Sequence, residues 1–197
     1  YEVKSKYYYF DFAKIDQIER KISEIISIYK KIDVLINNVG VCPMKSFEHI
    51  TIDEWNQVIN LNLSSIFFLT KEVVKYMMQR KYGKVVNVSS VASKVGGIST
   101  GPHYVASKGG IDSLTRYFAK KLANNNINVN AVSPSTTDTE LIEDWDNSII
   151  DHIISMTPLK RLATANDIAN AVLFLSSDNA SFITGEILNI NGGFYMD

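Results

Sequence analysis

Short apolar, β-branched or aromatic runs alternate along this chain with longer segments in which apolar residues recur at helical spacing. The runs are predicted strands, at residues 7–12, 33–37, 84–89, 127–132 and 186–190. Between two of them, Ile111, Leu114 and Phe118 fall on one face of a helix. Strands that alternate with helices form a parallel sheet covered on both faces. The sequence therefore predicts an α/β fold with a doubly wound parallel sheet.

Capping signals mark the start of two predicted helices. Thr51 is followed at the third position by Glu54, which makes a capping box, and the helix that begins there is expected to run to about Arg80. Thr164 is expected to begin another helix, and residues 139–155 have an irregular helical pattern. No repeat, low-complexity segment or linker interrupts the chain, so we expect a single domain over residues 1–197.

Composition excludes several classes of function. The formal net charge is -1 with no basic run, which argues against nucleic acid as a partner. No apolar run is long enough to cross a membrane, and Tyr1–Lys6 does not resemble the start of a signal peptide. The single Cys42 fits a reducing compartment, so we expect a cytoplasmic protein, or an organellar one if a targeting segment lies upstream. Cysteine and histidine spacing predicts no metal site.

Tyr104 and Lys108 are four residues apart, so on a helix they share one face. A phenol ionises near pH ~10, and a neighbouring cation favours the phenolate. Such a tyrosine can exchange a proton with a carbonyl or alcohol oxygen. The pair could equally be an ordinary helix face, with Tyr104 packed in the core and Lys108 solvated at the surface.

Other motifs accompany this pair in a fixed order. The turn Asn37–Gly40 follows a predicted strand, Asn62 lies in the long helix, Ser89 and Ser90 end a strand, and the run Asn191–Gly193 closes the chain. Over nearly its whole length the chain resembles the short-chain dehydrogenase/reductase family, and within it the 3-oxoacyl-acyl-carrier-protein reductases. The resemblance implies a Rossmann-type fold that transfers a hydride between a nicotinamide cofactor and a carbonyl or secondary alcohol.

The resemblance also implies catalytic roles for four residues. Tyr104 would be the proton donor, Lys108 would lower the pKa of Tyr104 and bind the nicotinamide ribose, and Ser90 would bind the substrate oxygen, with Ser89 as its rival. Asn62 would hold a water that links Lys108 to solvent, although a purely structural asparagine remains open. The cofactor-binding residues would be Asp11, Phe12, Asn38, Gly40, Tyr104, Lys108, Pro134, Thr137 and Thr139. Asp11 could instead cap the end of a strand.

The chain departs from the family pattern at several points. Val39 replaces an alanine, Ser135 a glycine and Asn191 an aspartate, and the segment from Ser90 to Tyr104 is one residue longer. The glycine-rich turn that holds the pyrophosphate is absent from the sequence. The chain begins where the family's third strand would begin, so we expect that upstream residues supply a glycine-rich unit. Without that unit, strand 7–12 would lack a neighbour and strand 33–37 would expose an apolar edge.

Substrate and partners follow from the same resemblance. The cofactor is expected to be NADP(H) or NAD(H), with NADP(H) favoured, and the substrate a small-molecule or acyl-carrier-linked carbonyl, most simply a 3-oxoacyl thioester. A sugar or small alcohol is the alternative substrate, and a non-catalytic relative acting in binding or assembly is the alternative class. The resemblance implies a homotetramer or homodimer. The aromatic stripe with Phe67 and Phe68 fits either helix packing or such an interface.

Overall fold

The computed structural model describes residues 3–97 and 100–197, which are built around a parallel β-sheet. Numbered in chain order, the strands are β1 (Val34–Asn37), β2 (Gly83–Val88), β3 (Ile127–Pro134), β4 (Thr137–Asp138), β5 (Ala163–Thr164) and β6 (Ile187–Ile190). The main sheet has the order β1-β2-β3-β6, and all of its neighbouring strands are parallel. Strands β4 and β5 form a separate short pair. The predicted parallel α/β fold is confirmed.

Seven α-helices connect and cover these strands in the described part of the chain. They are α1 (Ile18–Tyr29), α2 (Ile52–Ile59), α3 (Ser65–Arg80), α4 (Ala92–Val95), α5 (Pro102–Leu122), α6 (Asn147–Met156) and α7 (Ala165–Ser176). The capping boxes at Thr51 and Thr164 are both present. The long helix predicted to end at Arg80 does so, but a π-helical segment, Asn60–Ser64, separates α2 from α3.

Helices cover both faces of the sheet. Successive side chains of β2 point to opposite faces, so apolar residues of this strand pack against helices on each side. Val85 packs into a cluster formed with α1, α3 and α5, in which Val73, Met77 and Phe118 are buried. Val86 packs on the other face against Leu175 of α7. Each face of the central strand is therefore sealed from water, as expected for a doubly wound sheet.

The prediction of a first strand at residues 7–12 is wrong. This segment has no ladder hydrogen bonds to any described strand, and Tyr7 and Tyr9 are almost fully exposed. Phe10 and Phe12 instead stack edge to face with their ring centroids 4.6 Å apart, against the α1 side of the core. Strand propensity alone cannot make a strand, because extended backbone needs a hydrogen-bonding neighbour.

The outer edge of β1 is unpaired among the described residues, as the sequence predicted. Val34 and Ile36 of this strand are 37% and 49% exposed, although the neighbouring strand β2 is buried along nearly its whole length. The carboxyl ends of β1, β2 and β3 all lie at one end of the sheet, where helix α5 begins. In open parallel sheets ligands bind at this end.

Candidate active site

A cavity of about 220 Å³ opens at the carboxyl ends of the strands. It brings together sequence-predicted residues from the loop after β1, the end of β2, the start of α5 and the segment after β3. These are Asn38, Gly40, Ser90, Tyr104, Lys108, Pro134, Thr137 and Thr139. Residues that are about a hundred positions apart in the sequence thus face one cavity.

Helix α5 fixes Tyr104 and Lys108 on one face. The helix begins with Gly101 as its N-cap and Pro102 as its first residue, a favourable start because proline lacks the N–H that would go unpaired there. Lys108 is only 5% exposed, which excludes a solvated surface lysine. Its Nζ donates a 2.7 Å hydrogen bond to the carbonyl oxygen of Val88 and lies 5.6 Å from the centroid of the Tyr104 ring.

Burial controls the proton affinity of both groups. It raises the pKa of Tyr104 to about 12; Cys42 adds to this increase, and the nearby Ser90 hydroxyl opposes it. Burial also lowers the pKa of Lys108 to about 8. Lys108 is not among the groups that shift the pKa of Tyr104 here, so its predicted effect on that pKa stays a prediction.

The two serines after β2 have different surroundings. Ser89 is buried, and its hydroxyl donates to the backbone carbonyl of Lys108 at 3.3 Å, so it serves the contact between β2 and α5. The Ser90 side chain is only half-buried, and its Oγ accepts from the Ala92 N–H at 3.1 Å while it faces Tyr104. Both serines line the cavity, and of the two it is the Ser90 hydroxyl that faces Tyr104.

Asn62 lies in the π-helical segment and is completely buried. Its Nδ2 donates to the carbonyl of Val41 at 2.8 Å, and its Oδ1 accepts from the N–H of Val41 at 2.9 Å. A further hydrogen bond of 3.3 Å reaches the Ser107 hydroxyl. These bonds fix the loop that follows β1, which is the structural role that the sequence left open. Isolated π-helical turns within helices are frequent at functional sites.

Gly40 leaves space between Asn62 and Lys108. A Cβ atom at this position would lie 3.3 Å from the Asn62 Oδ1 and 3.7 Å from the Lys108 Nζ. The glycine therefore keeps a small polar space open at the floor of the cavity, beside two of the predicted catalytic groups. This open floor, together with the predicted cofactor-binding residues that line the cavity on both sides, fits the nicotinamide and ribose of a dinucleotide.

The segment after β3 also lines the cavity. Ser135 donates its N–H to the carbonyl of Ile190, and the Thr137 hydroxyl donates to the carbonyl of Ser135 at 3.1 Å. Ser135, which replaces the family's glycine, does not have a positive φ. The backbone thus makes no demand here that only glycine could meet, and this departure costs no strain.

Asp11 and Phe12 are not brought to the cavity. The Asp11 carboxylate accepts the N–H of Ala13 at 3.1 Å and so caps a local turn, not the strand end that was its alternative role, because residues 7–12 form no strand. Phe12 packs with Phe10 against the core. Asn191 likewise serves its own chain: its side chain bonds the carbonyl of Tyr195 and the N–H of Gly193.

Several cavity residues were missed by the sequence analysis. Cys42 lies close to Tyr104, and burial raises the pKa of its thiol to about 11 despite the opposing effect of Lys108. An apolar wall comes from four separate segments and consists of Val95, Ile142, Trp145, Ile153 and Phe194. The position of Cys42, two residues after the Asn-Asn-x-Gly turn, was a usable signal. The wall residues carry no local motif that could have found them.

No group of histidine, cysteine or carboxylate side chains suited to a metal ion occurs among residues 3–97 and 100–197. His103, which adjoins Tyr104, is buried outside the cavity lining, and its Nδ1 accepts the N–H of Tyr104 at 3.0 Å. In the same described part of the chain, no helix is both long and apolar enough to cross a membrane.

Comparison with known proteins agrees with this geometry. A family described as enoyl-(acyl carrier protein) reductase matches residues 1–195. The 3-oxoacyl-[acyl-carrier-protein] reductase FabG of Buchnera aphidicola is 38% identical over 186 residues, covering 94% of this chain and 76% of the relative. An acetoacetyl-CoA reductase of an Acinetobacter species is 39% identical over 175 residues, covering 89% and 70%.

A solved structure shows the same fold. The crystal structure of a 3-oxoacyl-[acyl-carrier protein] reductase from Brucella melitensis superposes with a TM-score of 0.89 at 28% identity, covering 95% of this chain and 71% of that one. Fold, cavity and sequence similarity agree, and the chain belongs to the short-chain dehydrogenase/reductase family of NAD(P)-dependent oxidoreductases.

Proposed function

We propose that this protein reduces 3-oxoacyl thioesters, carried on an acyl carrier protein or on coenzyme A, with a nicotinamide cofactor. The observation that carries the proposal is the convergence of Ser90, Tyr104 and Lys108 on one cavity that also has an apolar wall. The names of the relatives support this substrate class. The shared sheet and core support one domain over residues 1–197.

The cofactor would be held by the residues around the open floor of the cavity. The residues that would hold it all line the cavity: Asn38, Gly40, Tyr104, Lys108, Pro134, Thr137 and Thr139. The nicotinamide supplies the hydride when it is bound. We propose NADP(H) as the preferred form, on the resemblance to the acyl-carrier-protein reductases. Asp11 and Phe12 remain proposed adenine contacts only if their segment moves towards the cavity.

Tyr104 would donate the proton to the substrate oxygen. Its raised pKa keeps the phenol protonated at neutral pH, as a proton donor requires. The developing alkoxide is a far stronger base than a phenolate, so the transfer is downhill despite this high pKa. The Ser90 hydroxyl would hold the same oxygen in place. General acid catalysis of this kind contributes about 10²–10⁴-fold to the rate.

Lys108 would return the proton to Tyr104. Its pKa of about 8 lies close to neutral, so at the working pH it can both release and accept a proton. Asn62 Oδ1 and Lys108 Nζ border the same small space beside Gly40. We propose that a water there links Lys108 to solvent, with Asn62 accepting one hydrogen bond from it.

The apolar wall favours an acyl chain over a sugar. Ile142, Trp145 and Phe194 present hydrocarbon to the cavity, whereas a sugar would need polar partners for each hydroxyl that it buries. A sugar or small-alcohol dehydrogenase, which would use the same hydride transfer, is therefore the second candidate.

The test uses the full-length protein, including any residues encoded ahead of Tyr1, with NADPH or NADH and acetoacetyl-CoA as substrate. Turnover should be lost by at least about 10²-fold in Tyr104→Phe, with cofactor affinity nearly unchanged. The matched control is Tyr117→Phe, a half-exposed tyrosine on the same helix, which should turn over normally. Ordinary turnover by Tyr104→Phe would overturn the assignment. Absence of cofactor binding by the full-length protein would favour the non-catalytic alternative.

A further inference from the structure

Asp112 is a buried carboxylate that the proposed chemistry does not use. It lies on α5 one turn after Lys108 and is 6% exposed. Its Oδ2 accepts a 2.6 Å hydrogen bond from the Ser93 hydroxyl, whereas its Oδ1 is buried with no partner among the described residues. Burial of a carboxylate with incomplete hydrogen bonding is costly. An apolar residue would be more stable at this buried position, which indicates that Asp112 has a role other than packing.

Ser93 connects this carboxylate to Ser90. The Ser93 Oγ lies 2.7 Å from the carbonyl oxygen of Ser90, so its one proton is shared between that oxygen and the Asp112 carboxylate. The Ser93 N–H also donates to the Ser90 carbonyl at 3.1 Å. The turn that carries Ser90 is thereby tied to α5, which carries Tyr104 and Lys108.

Asp112 also acts on Lys108 through its charge. Residues four apart on a helix are neighbours, so the Asp112 and Lys108 side chains lie on the same face of α5. Burial lowers the pKa of Lys108, and Cys42 and Asp112 oppose that decrease, although burial keeps the Cys42 thiol protonated at neutral pH. The groups around Lys108 include these two, the Tyr104 ring, the Val88 carbonyl and, across the space beside Gly40, the Asn62 Oδ1. Asp112 is the carboxylate in this set.

We propose that Asp112 is a positioning residue: through Ser93 it fixes Ser90 against Tyr104, and through its charge it holds the proton of Lys108. The inference rests on the proposed roles of Ser90, Tyr104 and Lys108. Misplacement of a catalytic group by 1 Å can cost about 10²-fold in rate. Loss of the link should therefore lower kcat and leave KM for the cofactor nearly unchanged.

The variants separate the two effects. Ser93→Ala removes the hydrogen bond and keeps the charge, Asp112→Asn removes the charge and keeps an acceptor, and Ser93→Thr should rescue the hydroxyl. Ser113→Ala, an exposed neighbour on α5, is the matched control. We expect about a 10-fold loss of kcat in Ser93→Ala, with near-normal kcat in Ser93→Thr. The double variant of Ser93 and Asp112 should fall short of the product of the single losses, because Asp112→Asn also weakens the charge-assisted hydrogen bond that Ser93→Ala removes.

A second readout does not require turnover. NMR titration of the Lys108 side chain in the full-length protein should give a lower pKa in Asp112→Asn and an unchanged one in Ser93→Ala. The corresponding alkaline limb of the kcat profile should move to lower pH only in Asp112→Asn. Normal kcat and normal Lys108 titration in folded Asp112→Asn would overturn the inference, and so would a loss of kcat that merely follows the folded fraction. Ordinary turnover by Tyr104→Phe would identify failure of the proposed function instead.

Discussion

Replacement of Lys108 by methionine should stabilise the fold while it abolishes activity. Burial lowers the pKa of this lysine from 10.5 to about 8. That difference corresponds to about 3 kcal/mol by which the folded state disfavours the charged side chain. Methionine has a similar length without the charge, but it loses the hydrogen bond to the Val88 carbonyl, which is worth about 1 kcal/mol. The expected gain at pH 7 is about 2 kcal/mol.

The gain should depend on pH in a defined direction. Because the folded-state pKa lies below the unfolded value, the unfolded chain binds more protons between pH 8 and pH 10.5. The free energy of unfolding of the wild-type protein therefore rises across that pH interval because of Lys108. Above it the lysine is neutral in both states, and the advantage of Lys108→Met should disappear.

Urea unfolding at a series of pH values between 7 and 10 measures both effects. At pH 7 the variant should also melt about 4–8 °C higher, from the usual relation for a domain of this size. Lys120→Met, an exposed lysine on the same helix, is the control and should change little at any pH. The reasoning would be refuted if Lys108→Met were no more stable than wild type at pH 7, or if its advantage did not shrink as the pH rises.

Further predictions concern the loop after β1 and assembly. Asn62→Ala leaves the Val41 N–H and carbonyl without their side-chain partner. Urea unfolding should show a free energy of unfolding lower by about 1–3 kcal/mol, and an unchanged value would contradict the structural role of Asn62. Gly40→Ala places a Cβ 3.3 Å from the Asn62 Oδ1, and kinetics should show slower turnover with the fold intact. Light scattering at micromolar concentration should show a homotetramer or homodimer, and Tyr117→Glu, at a 53% exposed aromatic, should weaken it; a wild-type monomer would refute this.

Much of the architecture was fixed by local chemistry. The capping boxes at Thr51 and Thr164 depend only on residues three apart in the sequence. The strands β2 and β3 can be recognised from their apolar, β-branched composition. The order of the motifs was enough to indicate the family, because each motif is a short run of adjacent residues. These features could be predicted because the interactions that produce them join residues only a few positions apart in the sequence.

Features that depend on distant partners could not be predicted from the sequence. Residues 7–12 have strand composition but no neighbouring strand, and ladder hydrogen bonds come only from tertiary pairing. The burial that raises the pKa of Tyr104 and lowers that of Lys108 depends on how α5 packs against the sheet, which the spacing of the two residues does not show. The contact between Ser93 and Asp112 spans two helices.

The sequence by itself thus determined the order of the elements and the residue types that meet at the ends of the strands. Tertiary structure decided which of them share a cavity, which of Ser89 and Ser90 bonds the α5 backbone, and which apolar side chains line the cavity. The physical reason is that propensity and motif chemistry are local, whereas burial, proton affinity and cavity shape are set by groups that only the folded chain brings within a few ångströms.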